Sequence, residues 1–338
     1  MQPTVAVVIP TYNGAAFIED AIASVFAQSL APAELIIVDD ASRDGTAEIA
    51  ERITRNSPIP VRVSRLPTNT GGPAQPINAG VRLATSEFIA VLDQDDVAAP
   101  SKLQEQATFL AENPGMAVVC SLGARYEEPD SLLQYPDEIE ALWNTDGDHR
   151  DERCRIRGSE ALRILLSKGM VARGFPGFLF RRQDWERKGG VDVTLRIGGD
   201  YELLCWLCTH GDLGFIRKVH YLRRHHATNM CNDRIAMKVE GLQIRSRFLA
   251  GQPWLRDDSS FDDDVRSYFH TLAYWVREGG RYTQAFQCYW YASRVWGWDA
   301  RTVGAVLRLF PHWLHRSVMR VPPRYCHLTR APQPRESS

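Results

Sequence analysis

The first third of the chain alternates short, wholly apolar runs with amphipathic stretches, and no other feature limits the possible folds as much. Residues 5–9, 35–38 and 88–92 are apolar throughout, which is typical of strands buried on both faces. Shorter strands are predicted at 61–63 and 116–120, and helices at 18–26, 46–53, 74–83 and 101–112. Repeated β-α-β crossovers imply an α/β fold with a mostly parallel sheet and helices on both faces.

Two local signals set expected boundaries in this region. Pro10 follows the first apolar run and is expected to end that strand. Ser101 precedes Gln104 with the spacing of a capping box, which predicts a side-chain cap at the start of the last helix.

Polar, turn-rich segments follow three of the buried strands, at residues 10–14, 39–45 and 93–96. In open parallel sheets, ligands bind beyond the carboxyl ends of the strands. We therefore expect a binding site where these three segments meet. Within the first of them, Tyr12 can stack on a base, and Gly14 relieves strain at the turn.

The segment Asp93-Gln94-Asp95-Asp96 places three carboxylates within four residues. Such a cluster is costly unless it is solvated or bound to a cation, and oxygen ligands suit Mg²⁺ or Mn²⁺. In an extended segment Asp93 and Asp95 would point to the same side. The cluster alone is equally compatible with an exposed turn.

Asp39 ends a wholly apolar strand, where a carboxylate can accept a hydrogen bond from a nucleobase N–H or a ribose hydroxyl. The same segment carries Ser42 and Asp44, either of which can cap the next helix. Both roles can hold at once. Asp200 begins an apolar helical stretch on its buried side, and is either a helix cap or a general base that reaches a cleft.

The rest of the chain has a different character. Residues 126–157 are acidic with little periodicity, which predicts a long surface loop that is solvated or meets an acceptor. After residue 230 the pattern is helical, with an antiparallel pair around Gly279-Gly280 and an aromatic seam that favours core packing. Residues 311–338 carry five Arg and one Glu, which fits either a frayed basic tail or a membrane-surface contact.

Composition narrows the class of protein. The net charge of -1 argues against nucleic acid as a partner. Seven Cys, an odd number, argue against a disulfide framework and favour a reducing, cytoplasmic compartment. Cys205 and Cys208 form a C-x-x-C pair without a second ligand pair, so core packing is favoured over zinc. Neither a secretory signal nor an apolar run long enough to span a bilayer is expected.

Together these segments resemble the family 2 glycosyltransferases, which have the GT-A fold. The resemblance covers roughly residues 3–230. The matching pieces are Val8 to Gly14, Ile37 to Thr46, Asn69 with Gly71-Gly72, Asn78-Ala79-Gly80, Leu92 to Asp96, Phe180-Arg181-Arg182, Gly189-Gly190 and Asp200. Arg224-His225-His226-Ala227-Thr228-Asn229 is similar to a late R-x-H-x-x-N element of the family.

The resemblance implies a Rossmann-like nucleotide-diphospho-sugar transferase domain over residues 1–230. The sequence pattern beyond it predicts a helical region at 231–320 and a flexible basic tail at 321–338. The resemblance also implies that Asp200 is the catalytic base, that Asp95 and His226 bind a divalent metal (Mn²⁺ or Mg²⁺), and that Gly177, Phe178 and Gly199 lie on the acceptor side. His226 is otherwise an ordinary polar loop residue. The donor-binding residues implied by the resemblance are Pro10, Thr11, Tyr12, Asn13, Asp39, Asp40, Asn69, Gly72, Asn78, Asp93 and Gln94.

Two departures from the family pattern affect these expectations. Ile77 stands where members often carry Arg, which removes a cation that could meet the nucleotide and leaves the base less certain. Gly199 stands where the family often has Glu beside the catalytic Asp.

The implied function is inverting sugar transfer from a nucleotide-sugar, first of all a UDP-sugar, to a hydroxyl of a glycan, lipid-linked or protein acceptor. Two rival functions stay open at this point: a nucleotide-sugar-binding protein without turnover that acts through its helical region, and a nucleotidyltransferase. The sequence contains no Gly-rich phosphate loop with a Lys, which argues against a nucleotidyltransferase. The helical region is a candidate homodimer surface, and the chain is expected in the cytoplasm or peripherally at the inner membrane face.

Overall fold

The computed structural model describes residues 3–127, 152–170, 174–227 and 229–309. The chain forms two compact units, Met1–Asn232 and Asp233–Ser338, and each is described by itself. The predicted tail at 321–338 lies outside the described residues. No helix within the described ranges is long and apolar enough to cross a membrane.

The first unit is built on one mixed sheet, to which the described residues contribute nine strands. The strands are β1 Val5–Thr11, β2 Glu34–Asp39, β3 Val61–Arg65, β4 Phe88–Val91, β5 Val97–Ala98, β6 Met116–Arg125, β7 Arg153–Ile156, β8 Phe178–Arg181 and β9 Asp212–Arg223. Their order is β3-β2-β1-β4-β8-β6-β9-β5, with β7 also paired to β9. The first four are mutually parallel, β6 and β9 are parallel, and β8 runs antiparallel between β4 and β6.

Helices of the first unit connect and cover these strands. They are α1 Ile18–Phe26, α2 Thr46–Thr54, α3 Ala74–Leu83, α4 Lys102–Glu112, α5 Gly158–Lys168, α6 Arg182–Lys188 and α7 Gly199–Cys208, with 3-10 turns at Phe175–Gly177 and Met230–Asn232. Close packing of α3 on the sheet depends on Gly80, because a Cβ there would lie 2.5 Å from Cγ1 of Val8. The element bounds confirm the strands and helices predicted for the first 120 residues, with ends that shift by a few residues.

Three local predictions were wrong. Strand β1 continues through Pro10 to Thr11. Its neighbour β4 ends at Val91, opposite Val8, so no residue of β4 lies beside Pro10 to accept the hydrogen bond that proline cannot donate. Ser101 caps no backbone N–H with its side chain, and Gln104 bonds to Thr108 instead. The acidic segment is not loop throughout, because Arg153–Ile156 forms an edge strand on β9.

The second unit is helical as predicted. It contains α8 Arg234–Gly251, a 3-10 turn Pro253–Asp257, α9 Ser259–Glu278, α10 Tyr282–Trp296 and α11 Ala300–Leu307. Helices α9 and α10 form the predicted pair around Gly279-Gly280, and aromatic contacts join them between Phe269 and Trp296 and between His270 and Tyr289. Asp233, Asp258 and Asp299 cap α8, α9 and α11 through their side chains.

A lysine is buried in the first unit where the apolar face of α4 meets the sheet. The Lys102 ammonium donates to Gln106 Oε1 at 3.0 Å, and only 2% of Lys102 is exposed. Gln106 in turn donates to the hydroxyl of Ser121 (2.9 Å) and to the carbonyl of Gly177 (3.2 Å). Burial lowers the pKa of Lys102 to about 7, partly opposed by Cys120.

Replacing Lys102 with Met will change how stability depends on pH. Between pH 7 and the ordinary lysine pKa of 10.5, the unfolded chain holds a proton that the folded chain has released, so the wild type becomes more stable as pH rises. The gain is at most about 1.4 kcal/mol per pH unit, and the variant lacks it. Around Lys102, Cys120 is buried, Glu105 faces His220, and burial lowers the pKa of His220 to about 4, so that imidazole stays neutral across this range.

Denaturant unfolding of the wild type and Lys102→Met at pH 7 and pH 9 checks this expectation. The free energy of unfolding of the wild type should rise relative to that of the variant. Lys238→Met, which removes an exposed lysine of α8, serves as the control and should keep a constant difference. A constant difference for Lys102→Met as well would contradict the lowered pKa of Lys102.

Candidate active site

The carboxyl ends of β1, β2 and β4 meet at one edge of the sheet, and the side chain of Gln94 joins two of them. Gln94 Oε1 accepts from the Tyr12 N–H at 2.9 Å and from the hydroxyl of Thr11, and Gln94 Nε2 donates to the Tyr12 carbonyl at 3.1 Å. Thr11 and Gln94 thus use their polar groups to hold the two loops together. Tyr12 itself remains 43% exposed, so its ring is available to a ligand.

A second set of bonds ties the loop after β1 to the loop after β2. The Asn13 N–H donates to Ser42 Oγ at 2.8 Å, and Asn13 Oδ1 accepts from the Arg43 N–H at 2.9 Å. Asn13 (φ 48°) and Ala41 (φ 61°) adopt the left-handed region, alone among the described non-glycine residues. Each costs on the order of 1 kcal/mol, so this edge is held in a strained and specific shape.

The expected helix cap in this loop takes a different form. Gly45 occupies the cap position of α2. Asp44 instead accepts from the N–H of Thr46 at 3.1 Å and from the N–H of Ala15 at 3.0 Å, which links the first helical residue to the β1 loop.

A pocket of about 330 Å³ opens between these loops. It is lined by Tyr12, Ala41, Ser42, Arg43, Arg65, Leu66, Pro67, Thr68 and Asn69. Asp39 lies fully buried beside it and is bonded to two of the lining residues. Its Oδ2 accepts from the Ser42 N–H at 3.1 Å and lies 3.3 Å from Nε of Arg65. No described residue donates to its other oxygen, Oδ1, which is the kind of vacancy that a ligand N–H or O–H can fill.

Asp40 and Asn69 bond to each other at 3.1 Å instead of facing the pocket together. Asp40 also accepts from the N–H of Thr70 at 3.0 Å and from its hydroxyl at 3.0 Å, and it is buried. Gly72 follows in the same loop, where a Cβ would lie 3.1 Å from the Arg196 carbonyl. These residues fix the shape of the loop after β3.

Asn78 likewise has its polar atoms engaged within the protein. Its Nδ2 donates to the Val191 carbonyl and its Oδ1 accepts from the Val191 N–H, both at 2.8 Å. A Cβ on Gly190 would lie 2.7 Å from Asn78 Oδ1, which explains a glycine there. Asn78 therefore clamps the segment that leads to α7.

The acidic segment after β4 is a turn, closed by the Asp96 N–H on the Asp93 carbonyl at 3.1 Å. The prediction of an extended segment, in which Asp93 and Asp95 point to the same side, was wrong. Burial, together with the charges of Asp95 and Asp200, raises the pKa of Asp93 to about 7, although the charge of Arg223 acts in the opposite direction. The pKa of Asp96 is also raised by burial and by its acidic neighbours.

Asp95 contacts the late motif of the first unit. His226 Nε2 lies 2.8 Å from Asp95 Oδ2, and Asn229 Nδ2 donates to the same oxygen at 2.9 Å. The ring of Phe17 stacks on His226 at a centroid distance of 4.7 Å. The two residues expected to bind metal are therefore brought together.

The donor set suits a divalent ion that shares its shell with a ligand. Among the described residues, no group of three or more His, Cys, Asp or Glu could hold a metal by itself. One carboxylate and one imidazole beside an excess of buried acid could hold Mn²⁺ or Mg²⁺, ions that commonly use few protein ligands and take the rest from substrate and water. The repulsion that raises the pKa of Asp93 and Asp96 is the kind that such an ion relieves.

Asp200 approaches Asp93 from another part of the fold. It lies in the first turn of α7 after the cap residue Gly198, so the helix-cap interpretation was wrong. Its Oδ1 accepts from the Tyr201 N–H at 2.7 Å. A Cβ placed on Gly174 would lie 3.8 Å from Asp200 Oδ2 and 4.0 Å from Asp93 Oδ2. The two carboxylates therefore converge on one point beside a glycine.

The three residues expected on the acceptor side are buried. The Gly177 carbonyl accepts from Gln106, and Phe178 is fully buried between Phe175 and Phe180. Gly199 packs against Val191. The side chain of Phe178 therefore has no surface for an acceptor.

Sequence reasoning missed three residues of this site. Gly174 lies between the converging carboxylates, Arg223 at the end of β9 opposes their charge, and Asn229 holds Asp95. Only Asn229 carried a signal, as the last residue of the late motif. Gly174 precedes the 3-10 turn Phe175–Gly177 and Arg223 ends β9, and no local sequence pattern reveals that the two come together.

Parallel strands whose ends carry carboxylates beside a pocket lined by Tyr12 are the arrangement of the GT-A class of nucleotide-diphospho-sugar-binding domains, as predicted. The model of the family described as Glycosyl transferase family 2 matches residues 6–182, more than half of the chain. The chain belongs to this family.

Two sequence relatives illustrate its range. The poly(ribitol-phosphate) beta-N-acetylglucosaminyltransferase TarS of Staphylococcus aureus is 36% identical over 110 residues, which cover 32% of this chain and 19% of TarS. The chain thus matches about a fifth of the length of that relative. The uncharacterized glycosyltransferase RT0329 of Rickettsia typhi is 31% identical over 250 residues, 73% of this chain and 72% of that protein.

Solved structures show the same fold. TarS 1–349 of S. aureus in complex with UDP-GlcNAc is similar with a TM-score of 0.64 at 18% identity, covering 92% of this chain and 87% of that chain. The mannosyltransferase PcManGT from Pyrobaculum calidifontis in complex with GDP-Man and Mn²⁺ has a TM-score of 0.57 at 18% identity, covering 94% and 84%. At these identities the likeness establishes the fold.

Proposed function

We propose that the first unit is an inverting glycosyltransferase that moves a sugar from a nucleoside diphosphate sugar, first of all a UDP-sugar, to an acceptor hydroxyl in glycan, polysaccharide or glycolipid biosynthesis. The observation that carries this proposal is the convergence of Asp93 and Asp200 beside Gly174, next to a pocket for a nucleotide. Free thiols at the six described cysteines support a cytoplasmic location.

The nucleoside binds in the pocket beside Tyr12. The tyrosine ring stacks on the base, and the buried Oδ1 of Asp39 accepts its N–H. Uracil and guanine both offer a suitable N–H, and UDP is our first choice because the family resemblance favours uracil. Asp40, Asn69 and Asn78 contribute by holding the surrounding loops in place.

The diphosphate lies between the pocket and Asp95. Asp95 and His226 would hold a divalent ion, Mn²⁺ or Mg²⁺, which when bound stabilises the negative charge that develops on the leaving nucleoside diphosphate. Asn229 and the stacked ring of Phe17 keep His226 and Asp95 oriented. Asp93 contacts the ribose or the sugar beside the metal.

Asp200 is the base. Its Oδ2 accepts the proton of the acceptor hydroxyl as that oxygen attacks C1 of the sugar, and the bond from C1 to the phosphate oxygen breaks on the opposite side. One displacement of this kind inverts the anomeric centre. The acceptor reaches this point beside Gly174, whose lack of a side chain leaves room next to the two carboxylates.

Nucleotide binding by Asp39→Asn tests the donor site. Asparagine keeps an oxygen for the Ser42 N–H but presents an amide in place of a charged acceptor, so we expect the affinity for UDP to fall by about 10- to 100-fold. Titration calorimetry with UDP, GDP, CDP and dTDP measures this loss and identifies the base at the same time.

Glu51→Gln on the exposed side of α2 is the matched control and should bind UDP like the wild type. Wild-type affinity in Asp39→Asn for whichever nucleotide binds best would place the base elsewhere. Absence of binding for all four nucleotides to the wild type would count against the donor site itself.

A further inference from the structure

The second unit exposes a cluster of aromatic side chains on α10. Phe286 and Trp290 are separated by one helical turn and are each 44% exposed, and the ring of Trp298 lies 6.3 Å from that of Trp290 with 49% of the residue exposed. The opposite side of α10 is buried at Ala285 and Tyr289. We call Phe286, Trp290 and Trp298 the aromatic patch.

The next helix extends this apolar character. Helix α11 packs on α10 and begins two residues after Trp298. It exposes Val303 and Leu307, which are also one turn apart, and 60% of Leu307 is accessible. Exposed apolar side chains gathered on two packed helices are typical of an interaction site.

The segment that carries the aromatic patch has an excess of positive charge. Between residues 279 and 309 the basic residues are Arg281, Arg294, Arg301 and Arg308, all exposed. Arg294 follows Trp290 by one turn on the same stripe. The acidic residue of this segment, Asp299, pairs with Arg266.

A second copy of the chain is a poor occupant of this surface. A symmetric dimer through the aromatic patch would bring Arg294 of each copy towards the same cationic surface of the other, which is unfavourable. A partner that combines negative charge with an apolar interior would complement the aromatic side chains and the arginines of this surface. Trp and Phe side chains insert at the headgroup level of a bilayer, and each nearby arginine adds attraction to anionic lipid.

We propose that the surface formed by the aromatic patch and its flanking arginines binds a membrane that contains anionic lipid. The apolar rings enter the interface between headgroups and acyl chains, and Arg294 and Arg301 contact lipid phosphates. This inference is independent of sugar transfer, since lipid binding is measured without a donor.

Helix α9 provides an internal contrast. It exposes Tyr274 and Trp275, at 46% and 50%, but the nearby Arg277 is paired with Glu278, and its exposed side also carries the acidic residues Asp263 and Asp264. An acidic surface repels anionic lipid. Exposed aromatic residues on α9 are therefore expected to contribute nothing to vesicle binding.

Co-sedimentation of the full chain with vesicles tests the proposal. The wild type should bind vesicles of phosphatidylcholine mixed with phosphatidylglycerol, should bind phosphatidylcholine vesicles poorly, and should dissociate as salt is raised. Trp290→Ser with Trp298→Ser should reduce binding by at least about tenfold. Arg294→Gln with Arg301→Gln should reduce it by about fivefold for each arginine removed, only on the anionic vesicles.

The control is Tyr274→Ser with Trp275→Ser, which removes a similar aromatic area from α9 and should bind like the wild type. The arginine variant is a surface change that leaves the apolar contacts of α10 intact, so it remains informative if the tryptophan variant misfolds. The proposal is overturned if the wild type does not bind anionic vesicles at low salt, or if all three double variants bind them equally well. Loss of a dimer in light scattering for the tryptophan variant, without vesicle binding by the wild type, would show that the surface joins two copies instead.

Discussion

Asp200→Asn will lower the rate of sugar transfer by ~10²–10⁴-fold and leave the affinity for the donor near that of the wild type. The physical reason is that an amide cannot take the proton of the acceptor hydroxyl. The substitution should not disturb the fold, because asparagine keeps an Oδ1 that can accept the Tyr201 N–H. Steady-state transfer measured beside donor titration separates the two effects.

A matched control exists on another helix of the same unit. Glu160 is also a carboxylate in the first turn of a helix, but it is exposed on α5 and outside the site, so Glu160→Gln should transfer normally. Loss of donor affinity in Asp200→Asn, or transfer at the wild-type rate, would show that Asp200 has a structural role and not a catalytic one.

The second large effect is expected at Asp95. Asp95→Asn removes a negative ligand from the position shared with His226, so transfer should fall by about 10²–10³-fold, as when one stabilising group is removed from a developing oxyanion. Treatment of the wild type with EDTA should produce a loss of similar size, and Mn²⁺ should restore it. In the variant, added Mn²⁺ should restore little.

Two measurements keep this prediction distinct from simple unfolding. The melting temperature of Asp95→Asn without nucleotide should stay near that of the wild type, because Asn229 and His226 can still bond to an amide. Glu51→Gln should retain both activity and its response to Mn²⁺. Full transfer after EDTA treatment would contradict a metal-dependent reaction at this site.

Much of the fold could be predicted because its signals are local. Buried strands can be recognised in the sequence as apolar runs, and the helices between them as amphipathic stretches. The rule that ligands bind beyond strand ends then located the edge where Tyr12, Asp39 and Asp93 lie. Strand β7 was missed because its sequence, Arg-Cys-Arg-Ile, lies in an acidic stretch and gains its place only by pairing with β9.

The finer division of labour within the site could not be predicted in the same way. Asp40 and Asn78 look like ligand residues in sequence, yet their partners are Thr70 and Val191, which the chain brings near through loop packing. Burial of Lys102 likewise depends on Ser121 and Gly177 as distant partners of Gln106. Such contacts belong to the tertiary structure and leave no periodic trace.

The central claim is that this edge of the sheet binds a nucleotide-sugar and activates it. Incubation of the chain with UDP-, dTDP- and GDP-sugars in the presence of Mn²⁺, followed by measurement of released nucleoside diphosphate, tests it most directly. We predict slow hydrolysis of at least one donor, which requires the metal and is lost in Asp95→Asn. If no nucleotide-sugar is bound or cleaved, with or without metal, the claim is wrong.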